Sequence, residues 1–180
     1  MTGPESYVFT YGSLVADAPS SYVTRLNGFR RCWGVAMDNG ETVSGYKYYV
    51  DETGSRPDVY VAFLDIRPEQ GASVNGACTL VEEDGLRGLD ERERNYRRVE
   101  VTDAVADARG RVWAYVGSEA GRARLERGRD SGTAVVSRDY LDGVEAGFRA
   151  LGPEEYAAFR DSSDLDGLPV RDLIRVDLPA

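Results

Sequence analysis

Residues 58–66 read DVYVAFLDI, and no other run constrains the fold of this chain so strongly. Strand alternation puts Val59, Val61, Phe63 and Asp65 on one face and Tyr60, Ala62, Leu64 and Ile66 on the other. A strand that is apolar on nearly both faces needs cover on both, so the run predicts a central strand. Other strand-like runs surround it. SYVFTYG alternates from Ser6 and ends in a Tyr11-Gly12-Ser13-Leu14 turn. NGFRRCWGVAMDN (27–39), SVNGACTLV (73–81), YRRVEVTDA (96–104) and RVWAYVG (111–117) follow, while residues 41–56 read as an exposed excursion. Helical spacing is brief in EEDGLRGLDERER (82–94), through Leu86 and Leu89. It is clear after Ser137, a candidate cap, with Tyr140, Leu141, Val144 and Phe148 in one stripe and Gly152-Pro153 as the stop. PEEYAAFRDSSD predicts a further helix with Pro153 in its first turn, and the tail from Leu165 is amphipathic enough to pack back on the body. Strands in the first two thirds and helices in the last third indicate an α+β domain, a small twisted sheet or barrel with peripheral helices. With 180 residues and no repeat or low-complexity tract, a single domain over 1–180 is expected, with a helical C-terminal extension from about residue 137.

Charge and missing residue types exclude several functions. The chain has 22 basic and 31 acidic residues, a formal net charge of −9 and no histidine. Nucleic-acid affinity rests on cations that displace counterions, so no nucleic-acid partner is expected; the arginines at 122, 124, 127 and 129 are interleaved with acids. No run approaches the roughly 20 apolar residues of a membrane span, and the start lacks the pattern of a signal peptide. A cytoplasmic protein with Cys32 and Cys78 as free thiols is the expectation. Without histidine there can be no Ser-His-Asp or Cys-His dyad and no HExxH zinc site. No phosphate-binding glycine loop appears either, and neither metal nor cofactor is expected. An enzymatic proton-transfer group must then be Glu, Asp, Tyr, Cys or the single lysine, Lys47.

Two stretches carry the functional signal. A Gly-Ser turn leaving a strand can present successive backbone N–H groups to a carboxylate, as Tyr11-Gly12-Ser13-Leu14 would. The second stretch is LDERERNY (89–96). By charge pattern alone Glu91, Arg92, Glu93 and Arg94 read as a solvated helix end. Leu89 and Tyr96, however, point towards a core and can carry one acid to its rim.

Taken together, the two stretches resemble the gamma-glutamylcyclotransferase superfamily, with its AIG2-like and ChaC-like branches. The Tyr-Gly-Ser-Leu turn is followed by Val74-Asn75-Gly76, then Leu89-Asp90-Glu91-Arg92-Glu93 with Tyr96, then Tyr140-Leu141; the resemblance spans roughly residues 6 to 150. It implies a small mixed β-barrel with flanking helices. Glu93 falls on the family's catalytic glutamate, and Tyr11, Gly12, Ser13 and Leu14 on its γ-glutamyl-binding loop. Tyr96 and Tyr140 would supply pocket hydroxyls, and Asp90 and Arg92 a structural hydrogen bond or ion pair. The implied reaction is intramolecular aminolysis of a γ-glutamyl amine or peptide to 5-oxoproline and a free amine, on a small-molecule substrate, by a monomer or homodimer. Two alternatives stand beside it: a non-catalytic protein of the same fold that binds a small carboxylate or amino compound, and a γ-glutamyl-removing step in specialised metabolism. Arg94 departs from the glycine that many relatives carry after the glutamate. Residues 41–56 and 117–136 are expected to shape the entrance.

Overall fold

A computed structural model of the protein describes residues 5–16 and 21–179. In chain order it contains β1 (Ser6–Thr10), a 3-10 turn (Ser13–Ala16), β2 (Ser21–Asp38), β3 (Lys47–Val50), β4 (Tyr60–Val81), α1 (Glu83–Arg92) and β5 (Tyr96–Glu100). A second 3-10 turn (Thr102–Ala104), β6 (Arg111–Gly117), α2 (Glu119–Asp130), β7 (Ala134–Ser137), α3 (Arg138–Leu151) and α4 (Pro153–Asp161) follow, and three short strands end the chain: β8 (Ser163–Asp164), β9 (Val170–Arg171) and β10 (Ile174–Asp177).

DVYVAFLDI lies at the start of β4, and its central position follows from its two apolar faces. Val61, Ala62, Leu64 and Ile66 are almost completely buried, and β4 pairs along one edge with β2 and along the other with β7 and then β1. The run continues much further than its composition indicates. Residues 67–72, which contain Pro68 and Gly71, interrupt the apolar pattern, yet β4 is one 22-residue strand that includes SVNGACTLV. The register steps from Phe29↔Pro68 to Asn27↔Ser73, so residues 69–72 bulge outward opposite Gly28. Gly28 and Gly71 have φ of 79° and 82°, a conformation glycine adopts at no steric cost. A bulge is also where a sheet tolerates proline.

The main sheet runs β5-β6-β1-β4-β2-β8, with β7 on β4 and β9 on β7. This corrects the barrel expectation. Among the described residues no ladder joins β5 to β8, and closing a barrel requires the two edge strands to pair. β8 is two residues long and meets β2 only at Arg31 and Cys32. The result is a mixed α+β fold whose open sheet is bent at the β2–β4 bulges. Helices α2, α3 and α4 cover it through Leu125, Val144, Phe148 and Phe159, all fully buried.

The close approach of β4 to the end of β1 depends on a glycine. A Cβ at Gly76 would overlap the Thr10 carbonyl oxygen and the Phe9 ring. Gly76→Ala is therefore expected to destabilise the fold by about 1–3 kcal/mol, the usual cost of overpacking, read as a lower urea midpoint at unchanged slope.

Two segments differ from the sequence expectation. The stretch 117–136, expected to shape an entrance, contains helix α2. Its only buried apolar side chain is Leu125, and it approaches the sheet through Gly121 and Gly128, so no apolar stripe announces it. Its arginines are anchors: Arg122 binds Asp65 at 3.0 Å, and Arg124 donates to the Ala36 carbonyl at 2.8 Å and to Asn95 at 2.7 Å. Ser137 stands at the N-terminus of α3 but makes no side-chain cap; its hydroxyl donates to the Leu173 carbonyl at 3.3 Å. The 41–56 excursion contains β3, and the amphipathic tail returns as β10 to pair with it. No helix among the described residues is long and apolar enough to cross a membrane.

Candidate active site

A gap in the sheet opens the site. On one edge of β4 the β7 ladder covers only Tyr60 and Val61, and the β1 ladder only Ala77–Val81. Between them the backbone of Leu64 needs other partners, because buried peptide groups are costly to leave unpaired. Two tyrosines supply them. The Tyr96 hydroxyl donates to the Leu64 carbonyl at 2.6 Å, and the Leu64 N–H donates to the Tyr140 hydroxyl at 3.3 Å. Both phenols are therefore fixed in the wall of the gap. Burial raises their pKa, and the nearby Glu93 charge adds to this, so they stay protonated at neutral pH.

Helix α1 brings the carboxylate. Leu86 buries against Val8 and Tyr115, with Leu89 half-buried beside them, which docks the helix on the sheet. Asp90 reinforces the docking: it accepts from the Tyr115 hydroxyl at 2.8 Å and pairs with Arg98 at 3.4 Å. Its structural role thus links α1 to β6 and β5. The helix ends at Glu93, whose N–H donates to the Leu89 carbonyl at 2.8 Å and whose carbonyl accepts from the Tyr96 N–H at 2.9 Å. This tight turn points the side chains of 91–94 in different directions. Glu91, Arg92 and Arg94 are exposed, whereas Glu93 is held in, its side chain 21% accessible. Its Oε1 lies 3.5 Å from the exposed Arg92 Nε.

Glu93 faces a cavity of about 380 Å³, and a narrower cleft of about 60 Å³ runs beside it along the Tyr11–Leu14 loop. Ser13, Leu14, Glu93, Tyr96 and Tyr140 line both, and Tyr11 and Gly12 line the cleft. All seven residues singled out in the sequence therefore meet at one place. Tyr11 contributes through its backbone position, since its side chain is buried and its hydroxyl donates to the Tyr115 carbonyl at 2.6 Å.

Of the other lining residues, the sequence marked Lys47 only as the single lysine and several not at all. Tyr46 and Lys47 come from β3 and its approach, Phe63 from β4, and Arg175 and Asp177 from β10. None belongs to a local motif; the β3–β10 pairing brings them in. Another unmarked residue stands behind the loop. Arg31 is fully buried beside the stacked Phe148 and Phe159 rings, 4.9 and 4.8 Å from their centres. Its Nε donates to the Tyr11 carbonyl at 2.8 Å, Nη2 to the Asn75 carbonyl at 2.5 Å, and Nη1 to the Ser162 and Ser163 hydroxyls. Burial lowers its pKa to about 9, which leaves it charged at neutral pH. The Tyr11–Leu14 loop is thereby tied to β4 and to the end of α4.

An open mixed sheet with flanking helices, and a histidine-free pocket whose one held-in acid faces a Tyr-Gly-Ser-Leu loop, define an α+β protein with a carboxylate-bearing cavity. The family model for the AIG2-like gamma-glutamyl cyclotransferases matches residues 8–141, and the chain belongs to that family. Solved structures agree on the fold. One described as a gamma-glutamyl cyclotransferase is 19% identical, with a TM-score of 0.55 over 90% of this chain and 89% of its own. An uncharacterised protein from Homo sapiens is 18% identical, with a TM-score of 0.53 over 89% and 88%. YkqA from Bacillus subtilis is 16% identical, with a TM-score of 0.57 over 87% of this chain and 53% of its own length. No curated protein sequence matches at a significant level.

Proposed function

We propose that this chain is a gamma-glutamylcyclotransferase-type enzyme that converts a γ-glutamyl amine or peptide to 5-oxoproline and a free amine. The observation that carries this reading is the placement of Glu93, the one residue of 91–94 not exposed, in a cavity shared with the Tyr11–Leu14 loop.

The nucleophile belongs to the substrate, so histidine and an activated serine are unnecessary. The α-amine attacks the γ-carbonyl carbon, a C–N bond closes the five-membered ring, and the amide C–N bond to the released amine breaks. Glu93 takes a proton from the α-ammonium and returns one to the leaving nitrogen, acting as base and then acid. The backbone N–H groups of the Tyr11–Leu14 loop would hold the substrate's α-carboxylate, and the protonated Tyr96 and Tyr140 would keep the wall rigid. Holding the ring-closing conformer can supply several kcal/mol, roughly 7–11 at the limit for intramolecular reactions. Both cysteines are free thiols, which supports a reducing, cytoplasmic setting.

The reading is tested by incubating the protein with a panel of γ-glutamyl amines, γ-glutamyl peptides and glutathione, and following 5-oxoproline by mass spectrometry. Product is expected from at least one member. Binding without product across the panel would replace the enzyme with a small-molecule binding protein of the same fold.

A further inference from the structure

The larger cavity carries a charge pattern that the proposed chemistry does not use. Lys47, Arg92, Arg94 and Arg175 line it against two carboxylates, Glu93 and Asp177, in a chain whose net charge is −9. Most of these charges are already engaged. Arg175 binds Asp177 at 2.6 Å, Arg92 lies 3.5 Å from Glu93, and Arg94 reaches the Ser44 carbonyl at 3.5 Å.

Lys47 is different. It is the only lysine in the chain, and its side chain forms part of the cavity wall. Among the described residues its ammonium has no hydrogen bond and no ion pair. Its contacts are the Phe63 ring, 4.5 Å from Nζ to the ring centre, and the Tyr46 ring, at 5.5 Å. Burial, with Arg175 nearby, lowers its pKa to about 8, while Glu93 and Asp177 oppose that effect. An ammonium held over two rings, near Glu93 and Asp177 but in ion-pair contact with neither, is poised to meet an anion brought from outside.

We propose that Lys47 contacts a negative charge on the amine half of the substrate. The compounds turned over best would then be γ-glutamyl compounds whose released amine bears a carboxylate. This inference rests on the cyclotransferase reading: Glu93 acts at the amide, and Lys47, across the same cavity, receives the group beyond it. An uncharged or cationic amine would leave the ammonium without a partner.

The test compares γ-glutamylglycine with γ-glutamylglycinamide, which differ in the terminal charge, on the wild type, Lys47→Met and Lys47→Arg. The wild type is expected to favour the acid in kcat/KM by about 10- to 100-fold, as for a hydrogen bond to a charged group. Lys47→Met should reduce that ratio to within about threefold, and Lys47→Arg should keep most of it. Far-UV circular dichroism checks that each variant is folded. Equal kcat/KM for the two compounds in the wild type, with 5-oxoproline formed from both, overturns the role of Lys47 and leaves the cyclotransferase reading standing. If neither yields 5-oxoproline, calorimetric binding of the same two compounds decides the Lys47 contact separately. Acid preference that is lost in Lys47→Met supports it; equal affinity, or no binding of either, overturns it.

Discussion

Replacing Glu93 by glutamine is expected to lower 5-oxoproline release by about 10²- to 10⁴-fold, the usual contribution of a positioned acid–base group. The amide keeps the shape of the side chain and removes its ability to accept and return a proton. The loss should fall on kcat, with KM changed little, because binding in this reading depends on the Tyr11–Leu14 loop and the cavity walls. Stability should hardly move. Among the described residues the only ion pair of Glu93 is with the exposed Arg92 at 3.5 Å, and exposed pairs contribute about 0–1 kcal/mol. Steady-state kinetics together with thermal unfolding separate these effects. A folded variant that releases 5-oxoproline at the wild-type rate would remove Glu93 from the mechanism.

The second large effect is expected at Arg31. Arg31→Met would leave the Tyr11 and Asn75 carbonyls without their guanidinium donors inside the protein. Each orphaned buried group costs about 1–3 kcal/mol, and methionine spares the cost of burying a charge, so a net loss of about 2–4 kcal/mol is expected by urea denaturation. Arg31→Lys should fall between the two, since an ammonium cannot reproduce the planar fork that serves two carbonyls and two hydroxyls. Activity should fall as well, in conditions where the variant is still folded, because the Tyr11 carbonyl anchors the loop from behind. A loss below about 0.5 kcal/mol would show that these hydrogen bonds do not hold the loop.

Arg31 also shows where sequence reading stops. Arg30 and Arg31 are identical neighbours in FRRCW, yet Arg31 is completely buried while Arg30 is partly exposed. Which of two successive strand residues faces inward depends on register, because a one-residue slip moves every side chain to the other face. Here the register changes at bulges between Asn27 and Phe29 and between Trp33 and Val35, and nothing local to the two arginines announces it. Helix α2 was hidden for a related reason. Its inner face consists of Gly121, Leu125 and Gly128, and it is fastened by arginines that look like a solvated cluster until Asp65, Ala36 and Asn95 are placed beside them. Lys47 stood out as the single lysine. Its place in the cavity comes from pairing with a strand more than a hundred residues away, with Asp177 as its register partner.

The sequence by itself determined the α+β class, the central place of DVYVAFLDI, and the family motifs from Tyr11-Gly12-Ser13-Leu14 to Glu93, Tyr96 and Tyr140. These are local matters of side-chain periodicity, turn chemistry and motif order, which any fold of the chain must accommodate. Tertiary structure decided that the sheet stays open, that β4 is one bent strand, and that of the four charged residues at 91–94 only Glu93 is held in. It also decided that Arg31 stands behind the loop and that Lys47 faces the cavity. Those outcomes depend on ladders and bulges that join distant parts of the chain, and their energies arise only once both partners are in place.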